Sequence, residues 1–282
     1  MNHWLNIVAQ YERLATNDAG SSAAPKRPAS KHAGSARTAM IFSPHPDDEC
    51  IISGLALRLA RETNWHVTNV AVTLGSKSGR RAARLRELQN ACSQLGFELI
   101  VPRERGMENV NLDARRRQRS TWMRNVQAIA DILKATRPRV VFVPHDDDGH
   151  ATHIGTHWLV MDALKTMPRD FDCFIAETEF WRQMKSPNLL VGLDTKTVAN
   201  LVAALSLHAG EVRRNPYHLR LPAWFIDNVR RSESVLGHGS RSPRATFGIL
   251  HRLRRWRNGR ATDVPPRSKF LSCDANAALL FQ

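Results

Sequence analysis

The sequence predicts an α/β protein: a mostly parallel sheet with helices on both faces. Three observations carry this prediction. Short apolar runs are near-continuous rather than alternating, as in strands buried on two sides. Stretches with helical spacing of apolar residues separate them, giving the βαβαβ order that builds a parallel sheet. Length and composition agree, since 282 residues with 42% hydrophobic content can fill a substantial core.

Residues 1–14 place Trp4, Leu5, Ile7, Val8, Tyr11 and Leu14 near helical spacing, predicting an amphipathic N-terminal helix. Residues 15–37, rich in Ala, Ser, Gly and Pro without apolar periodicity, read as a flexible linker. A domain then spans 38–240. Its strands are expected at AMIFS (39–43), HVTNVAVT (66–73), FELIV (97–101), RVVFVPH (139–145) and DCFIAETEF (172–180). Helices are expected at 49–63, 80–96, 118–136 and 154–167.

Residues 241–282 form a basic tail that holds a disproportionate share of the net charge of +15. Within it Phe247, Leu250, Leu253 and Trp256 recur every third residue among arginines, predicting an amphipathic basic helix. Such a helix docks on the domain or associates weakly with an anionic membrane surface. Nucleic acid is not the expected partner, because no zinc-finger spacing or RNA-binding signature accompanies the charge. The sequence does not determine an oligomeric state.

Cys50, Cys92, Cys173 and Cys273 lie far apart, with no CxxC pair, which fits a reducing compartment. No apolar run approaches the roughly 20 residues of a membrane span, and MNHWLNIVAQYERL lacks the basic start and cleavage site of a signal peptide. A cytoplasmic location is therefore expected.

In open parallel sheets ligands bind beyond the carboxyl ends of the strands. Two predicted strand-to-helix loops are dense in histidine and aspartate, SPHPDDE (43–49) and PHDDDGHATH (144–153). His45 and Asp48, three residues apart across a proline-containing turn, can converge on one point, and neutral imidazole and carboxylate are both good zinc ligands. Asp47 projects differently and can act as a base beside the metal. Acids before the helix at 49–63 would also satisfy a helix N-terminus, but that leaves His45 unexplained.

The second loop offers His145, Asp146, Asp147, Asp148, His150, His153 and His157, more donors than one zinc requires. His153 and His157, four apart, would share a helix face, yet no Glu follows the first as in HExxH metalloproteases. His157 reads as a helix-surface or partly buried residue beside Trp158. The aspartates read as a solvated loop, or as one Asp orienting a ligand histidine.

PHPDDE at Pro44–Glu49, followed by His150-Ala-Thr-His153, resembles the hallmark of the PIG-L or LmbE-like zinc-dependent de-N-acetylases. Arg84-Leu-Arg-Glu87-Leu, Glu177-Thr-Glu-Phe-Trp181 and the segment around Ala204–His208 are similar to later parts of that family. The resemblance spans Thr38 to about Gly237 and implies a Rossmann-like fold with a single catalytic domain. It further implies that His45, Asp48 and His153 bind Zn²⁺ or another divalent metal, that Asp47 is the general base, and that His150 stabilises the oxyanion or protonates the departing amine.

The implied substrate is a small-molecule N-acetylated amino sugar, N-acetylglucosamine-like, or its glycoconjugate, with acetate released. Arg84, with Arg80 and Arg81, is a weaker expectation for binding an anionic group on it. One departure stands out: Ala151-Thr152 occupies the place of the family's usual Pro-Asp, so an Asp orienting His150 would have to come from Asp146, Asp147 or Asp148. The competing expectation is a relative of the same fold, non-catalytic or of amidase type, that binds anionic polymer or membrane through its tail.

Overall fold

The computed structural model describes residues 1–16, 37–237, 243, 245–264 and 269–282. Among these residues, nine strands form one mixed sheet: β1 (Arg37–Ser43), β2 (Trp65–Ala71), β3 (Glu98–Ile100), β4 (Val140–Pro144), β5 (Cys173–Thr178), β6 (Leu189–Leu193), β7 (Phe247–Arg257), β8 (Arg260–Asp263) and β9 (Phe270–Leu271). Their order is β3-β2-β1-β4-β5-β7-β6-β9, with β8 paired to β7. The first five are parallel, and β7 runs antiparallel to β5, β6 and β8.

The near-continuous apolar runs are explained by two cores. In β1, Ala39 and Ile41 enter one core while Met40 and Phe42 enter the other, because successive side chains leave a strand on opposite faces. β4 repeats this with Val140 and Phe142 against Val141 and Val143. Helices Gly54–Glu62, Arg81–Leu95 and Thr195–Ser206 cover the first face, and helices Arg119–Thr136 and Ala151–Lys165 cover the second. Fully burying a side chain such as Phe42 stabilises by about 1.5–3 kcal/mol.

Chain direction across the sheet places the site. From β1 the chain steps outward through β2 to β3, then crosses back so that β4 and β5 lie on the other side of β1. The carboxyl ends of β1 and β4 therefore flank the point where strand order reverses, where the loops before and behind the sheet splay apart and leave a crevice. Both His/Asp-rich loops leave from those two ends.

Several elements differ from the sequence reading. The helix expected at 49–63 is two pieces, Asp48–Ile51 and Gly54–Glu62. The N-terminal helix runs Asn2–Thr16, buries Val8, and is tied down by Tyr11 Oη donating to the Leu219 carbonyl at 2.8 Å. Most of the expected linker, residues 17–36, lies outside the described residues.

The basic amphipathic helix is a misreading: residues 247–257 are strand β7, the longest of the sheet, and the sheet continues across the expected boundary at 240/241. The three-residue recurrence arose by coincidence. Phe247 and Leu253 face the first core and Trp256 the second, so the apolar residues that suggested one helix face lie on two faces of a strand. The arginines between them are ion-paired: Arg255 with Asp172, Arg254 with Glu177, and Arg252 with Asp263. Among the described residues, no helix is long and apolar enough to cross a membrane.

Candidate active site

After β1, residues 44–49 make a tight turn into the helical residues Asp48–Ile51, and the His45 backbone N–H donates to Asp48 Oδ2 at 2.8 Å. After β4, the chain runs through His145–Gly149 and enters the helix Ala151–Lys165, with His150 at its N-cap and His153 inside its first turn. The helix begins three residues before the sequence reading placed it, and so the two histidines of HATH straddle its start. Gly155 lets this helix sit close: a Cβ there would stand 2.2 Å from the Val110 carbonyl oxygen.

The two loops converge. Asp48 Oδ2 lies 3.4 Å from His45 Nδ1 and 3.3 Å from His153 Nε2. One ring nitrogen from each of His45, His150 and His153 lies within 4.8 Å of the others. His153 is buried, and its Nε2 has no hydrogen-bond partner, while its Nδ1 is 3.0 Å from Asp148 Oδ1. A proton on Nδ1 facing Asp148 leaves the Nε2 lone pair directed at Asp48 and His45, the arrangement by which a carboxylate orients a metal-binding imidazole.

The electrostatics ask for a cation at this point. Burial works against a charged His153, but Asp48 and Asp148 outweigh it and push the imidazole up to about 10. Asp48 is also desolvated, yet His153 and His45 hold it well below the usual carboxylate range. A protonated imidazole or a divalent cation would meet the same demand. The donor set of two imidazoles and a carboxylate, with an orphaned buried nitrogen among them, suits a divalent metal such as zinc.

Asp47 stands beside this set and is governed by different forces. Its φ of 112° is a conformation that non-glycine residues rarely adopt, and holding it there costs on the order of 1–3 kcal/mol. Burial and then repulsion from Asp48 raise its pKa well above the ordinary aspartate value, against the opposing pull of Arg84. The backbone N–H of Asp47 donates to Glu49 Oε2 at 2.9 Å.

Arg84, expected to touch an anionic group on the substrate, is mostly occupied within the protein. Its Nη2 donates to the Pro46 carbonyl at 2.8 Å and lies 3.6 Å from Asp47 Oδ1 and 4.0 Å from Glu211 Oε2. Gly75, at φ +85°, makes room for it: a Cβ there would meet Arg84 Nη1 at 2.4 Å. Arg81 bonds Glu108.

His150 accepts from the Thr152 N–H at Nδ1 (3.3 Å), and its ring stacks on Trp181 at 5.7 Å. Burial, with His45 and His153 nearby, lowers its pKa. Among the described residues, no side-chain carboxylate takes the orienting role expected beside it; Asp148 lies against His153 instead. Asp148 is fully buried, and its Oδ2 also accepts the backbone N–H of Phe180 (3.0 Å) and Trp181 (3.3 Å). Asp147 pairs with Arg182 and Lys185, and His145 Nε2 contacts the Arg182 carbonyl. The aspartate run is thus divided: Asp146 is exposed and Asp147 makes exposed ion pairs with the segment after β5, as a solvated loop would, while Asp148 is buried against His153. His157 is buried, with Nδ1 2.9 Å from the Pro144 carbonyl, not on the surface.

His45, Asp47, Asp48, Arg84 and His150 line one cavity of about 700 Å³, with Trp181 and Tyr217 also on its wall, whereas His153 and Asp148 are buried beside these residues rather than lining it. Trp181 is half exposed. A second group close enough to hold an ion, Glu49, Cys50 and His208, suits that role less well. Burial and then Glu49 keep the Cys50 thiol protonated far above its usual range, and Glu49 Oε1 already receives His208 Nε2 at 2.7 Å. In the sequence Glu49 reads only as one of the acids at a helix start, and its partner, 159 residues away, leaves no local signal.

Residues 40–164, which carry β1, β4 and both His/Asp loops, match the sequence model of the GlcNAc-PI de-N-acetylase family, PIG-L. Residues 40–164 are thus similar to a PIG-L domain. The match is shorter than the span from 38 to 237 that the motifs suggested. A 1D-myo-inositol 2-acetamido-2-deoxy-alpha-D-glucopyranoside deacetylase from Salinispora arenicola is 27% identical over 185 residues, 56% of this chain and 59% of that protein. The chain spans between 51% and 59% of the length of the curated relatives it matches.

The PIG-L fold extends beyond the matched residues. An N,N'-diacetylchitobiose deacetylase from Pyrococcus horikoshii superposes with a TM-score of 0.55 at 17% identity, covering 80% of this chain and 85% of that one. A 4-carboxy-2-hydroxymuconate hydratase from Pseudomonas putida also reaches 0.55, at 15% identity, covering 76% and 95%. At such identities the likeness establishes the shared fold alone, and the hydratase shows that this PIG-L-type scaffold carries more than one chemistry.

Proposed function

We propose that the chain is a metal-dependent N-deacetylase, hydrolysing the acetamide of an N-acetylglucosamine-type sugar or its conjugate to acetate and a free amine. The observation that carries this reading is the division of labour between neighbouring carboxylates. Asp48 lies within 3.4 Å of two imidazoles and stays ionised, while Asp47, lining the same cavity, is outside the donor set with a raised pKa. Two adjacent acids driven apart in this way are what acid–base hydrolysis needs.

His45, Asp48 and His153 would hold the cation, with Zn²⁺ the ion their chemistry suits best. Once bound, that ion would polarise the acetamide carbonyl and lower the pKa of water. Asp47, beside the donor set rather than in it, takes a proton from the water that attacks the carbonyl carbon. His150, facing the same space, donates a hydrogen bond to the developing oxyanion or hands a proton to the nitrogen as the C–N bond breaks. Its lowered pKa favours the first role at neutral pH.

The cavity wall supports a sugar-sized substrate. Trp181 and Tyr217 offer apolar ring faces, and Asn109 offers an amide, while the Asn111 side-chain carbonyl caps a helix and the Asn215 amide nitrogen donates to Glu211. The Salinispora arenicola relative is named for deacetylating a 2-acetamido-2-deoxy-glucopyranoside of myo-inositol, which supports the same class. The test is acetate release from a panel of N-acetylglucosamine conjugates, with metal-stripped protein as control. Release that depends on restored metal is the expected result. A protein that hydrates unsaturated acids, as the Pseudomonas putida neighbour's name describes, and releases no acetate would sink the proposal.

A further inference from the structure

We infer that Glu49 and His208 form a buried clamp that holds the general base Asp47 in its working conformation, so that both are positioning residues for the reaction. This rests on the deacetylase reading for its catalytic meaning, and on geometry alone for the clamp. Glu49 Oε2 accepts the Asp47 N–H at 2.9 Å, and Oε1 accepts from His208 Nε2 at 2.7 Å and from Cys50 Sγ at 3.2 Å. Glu49 is 0% exposed and His208 1%.

A carboxylate that merely favoured a helix N-terminus would act equally well in water, since that interaction needs neither burial nor a distant partner. Glu49 has both. Its two oxygens face different tasks, one turned back to the residue two before it and one fixed by an imidazole from beyond the helix Thr195–Ser206. His208 is itself anchored. Its N–H donates to the Leu205 carbonyl at 3.1 Å, and its carbonyl accepts the N–H groups of Glu211 and Val212, both at 2.9 Å.

The conformation being held is unusual. Asp47 sits at φ 112°, ψ −30°, and such a residue persists only where its surroundings over-determine it. Glu49 fixes its N–H, the Cys50 N–H bonds its carbonyl at 3.0 Å, and Arg84 bonds the preceding carbonyl of Pro46 at 2.8 Å. Of these three, the Glu49 bond depends on the His208 partner. The metal donors are held separately, Asp48 by the His45 N–H and His153 by Asp148. Loosening the clamp should therefore move the base and spare the donors.

Three variants test this: His208→Leu removes the imidazole donor, His208→Gln keeps a donor at similar reach, and Glu49→Gln keeps an acceptor for the Asp47 N–H. In a hydrogen-exchange measurement, the Asp47 amide is expected to be slow in the wild type and to exchange faster in His208→Leu, with His208→Gln between. In acetate release, His208→Leu lowers kcat about 10- to 100-fold, the scale of misplacing a reacting group by about an ångström, with KM and metal stoichiometry near wild type.

His208→Gln and Glu49→Gln recover most of that loss. Combined with Asp47→Asn, His208→Leu adds no further loss, because its effect passes through the base. Metal lost along with activity, unchanged kcat in His208→Leu, or additive losses in the double variant would each overturn the clamp. If His208→Leu does not fold, the two glutamine variants decide: Asp47 exchange in both equal to that of unfolded chain overturns it, and protection in both upholds it. Wild-type protein that releases no acetate, yet shows the expected exchange, refutes the deacetylase reading and leaves the clamp standing.

Discussion

Two stretches of this chain are crowded with charge, and they settle it in opposite ways. In β7, Arg252, Arg254 and Arg255 each meet a carboxylate, and the partners reinforce one another. Hydrogen bonds from Arg255 hold Asp172 below its usual range, those from Arg252 do the same for Asp263, and both arginines are raised in turn. In the turn at residues 44–49, Asp47, Asp48 and Glu49 are all buried, and Asp47 is pushed up by burial and by Asp48. Satisfied charge seals a sheet, whereas frustrated charge beside a cavity stores reactivity. Counting charged residues cannot separate the two; their partners can.

The sharpest way to break the contrast is to remove a metal donor. His153→Ala deletes the orphaned nitrogen beside Asp48, and metal stoichiometry measured by mass spectrometry should fall from near one per chain to a small residue, taking acetate release with it. Full occupancy in that variant would transfer the ligand role to His150, whose ring nitrogen is within the same group.

Asp47→Asn comes next, expected to lower kcat by about 10²–10⁴-fold, the usual contribution of a general base, with metal retained. The same residue sets a pH dependence. Its carboxylate must be ionised to accept a proton, and burial followed by Asp48 raises its pKa. Activity should therefore be lost as pH falls through a value above the ordinary aspartate range, and an acid limb in kcat/KM of the wild type should vanish in what remains of Asp47→Asn. A limb unchanged in the variant would assign it to another group.

Among the carboxylates that pair with β7, the largest effect is expected at Glu177 of β5, which is buried and 3.1 Å from Arg254 Nη1. Glu177→Ala removes a charge-assisted hydrogen bond and should destabilise by about 1.5–3 kcal/mol in a denaturant titration, while kcat of the folded fraction and metal content stay put. A loss of kcat without loss of stability would erase the distinction between the two regions.

The contrast also explains what the sequence could reveal. His45, Asp47 and Asp48 were legible because one turn carries all three, so spacing alone brings them together. β1, β2, β4 and β5 were legible because their runs are apolar on both faces. β7 was not, because its apolar residues divide between two cores while its arginines find carboxylates on β5, on β8 and in the loop before β5, leaving neither a period of two nor a continuous run. Asp148 could be suspected as an orienting residue, but its choice of His153 over His150 follows from where the helix Ala151–Lys165 starts. The Glu49–His208 pair left no local signal at all, since each looks like an ordinary polar residue until the fold joins them.

The smallest effect should come from Asp263, more than half exposed and paired with Arg252 at 2.9 Å. An exposed pair gains little, so Asp263→Asn should cost at most about 1 kcal/mol and less at high salt. Its pH signature has a definite sign: Arg252 hydrogen bonds lower its folded pKa, so the stability it contributes is present above the unfolded carboxylate value near pH 4 and lost as pH falls through the lowered folded value. The wild type should lose its small advantage over Asp263→Asn across that acid window. Because Asp47 is shifted in the opposite direction, activity should fade at higher pH than this strand contact does, and melting curves beside rate profiles on the same protein would show the two regions titrating apart. Coincident titration would mean that the strand and the turn share one electrostatic network.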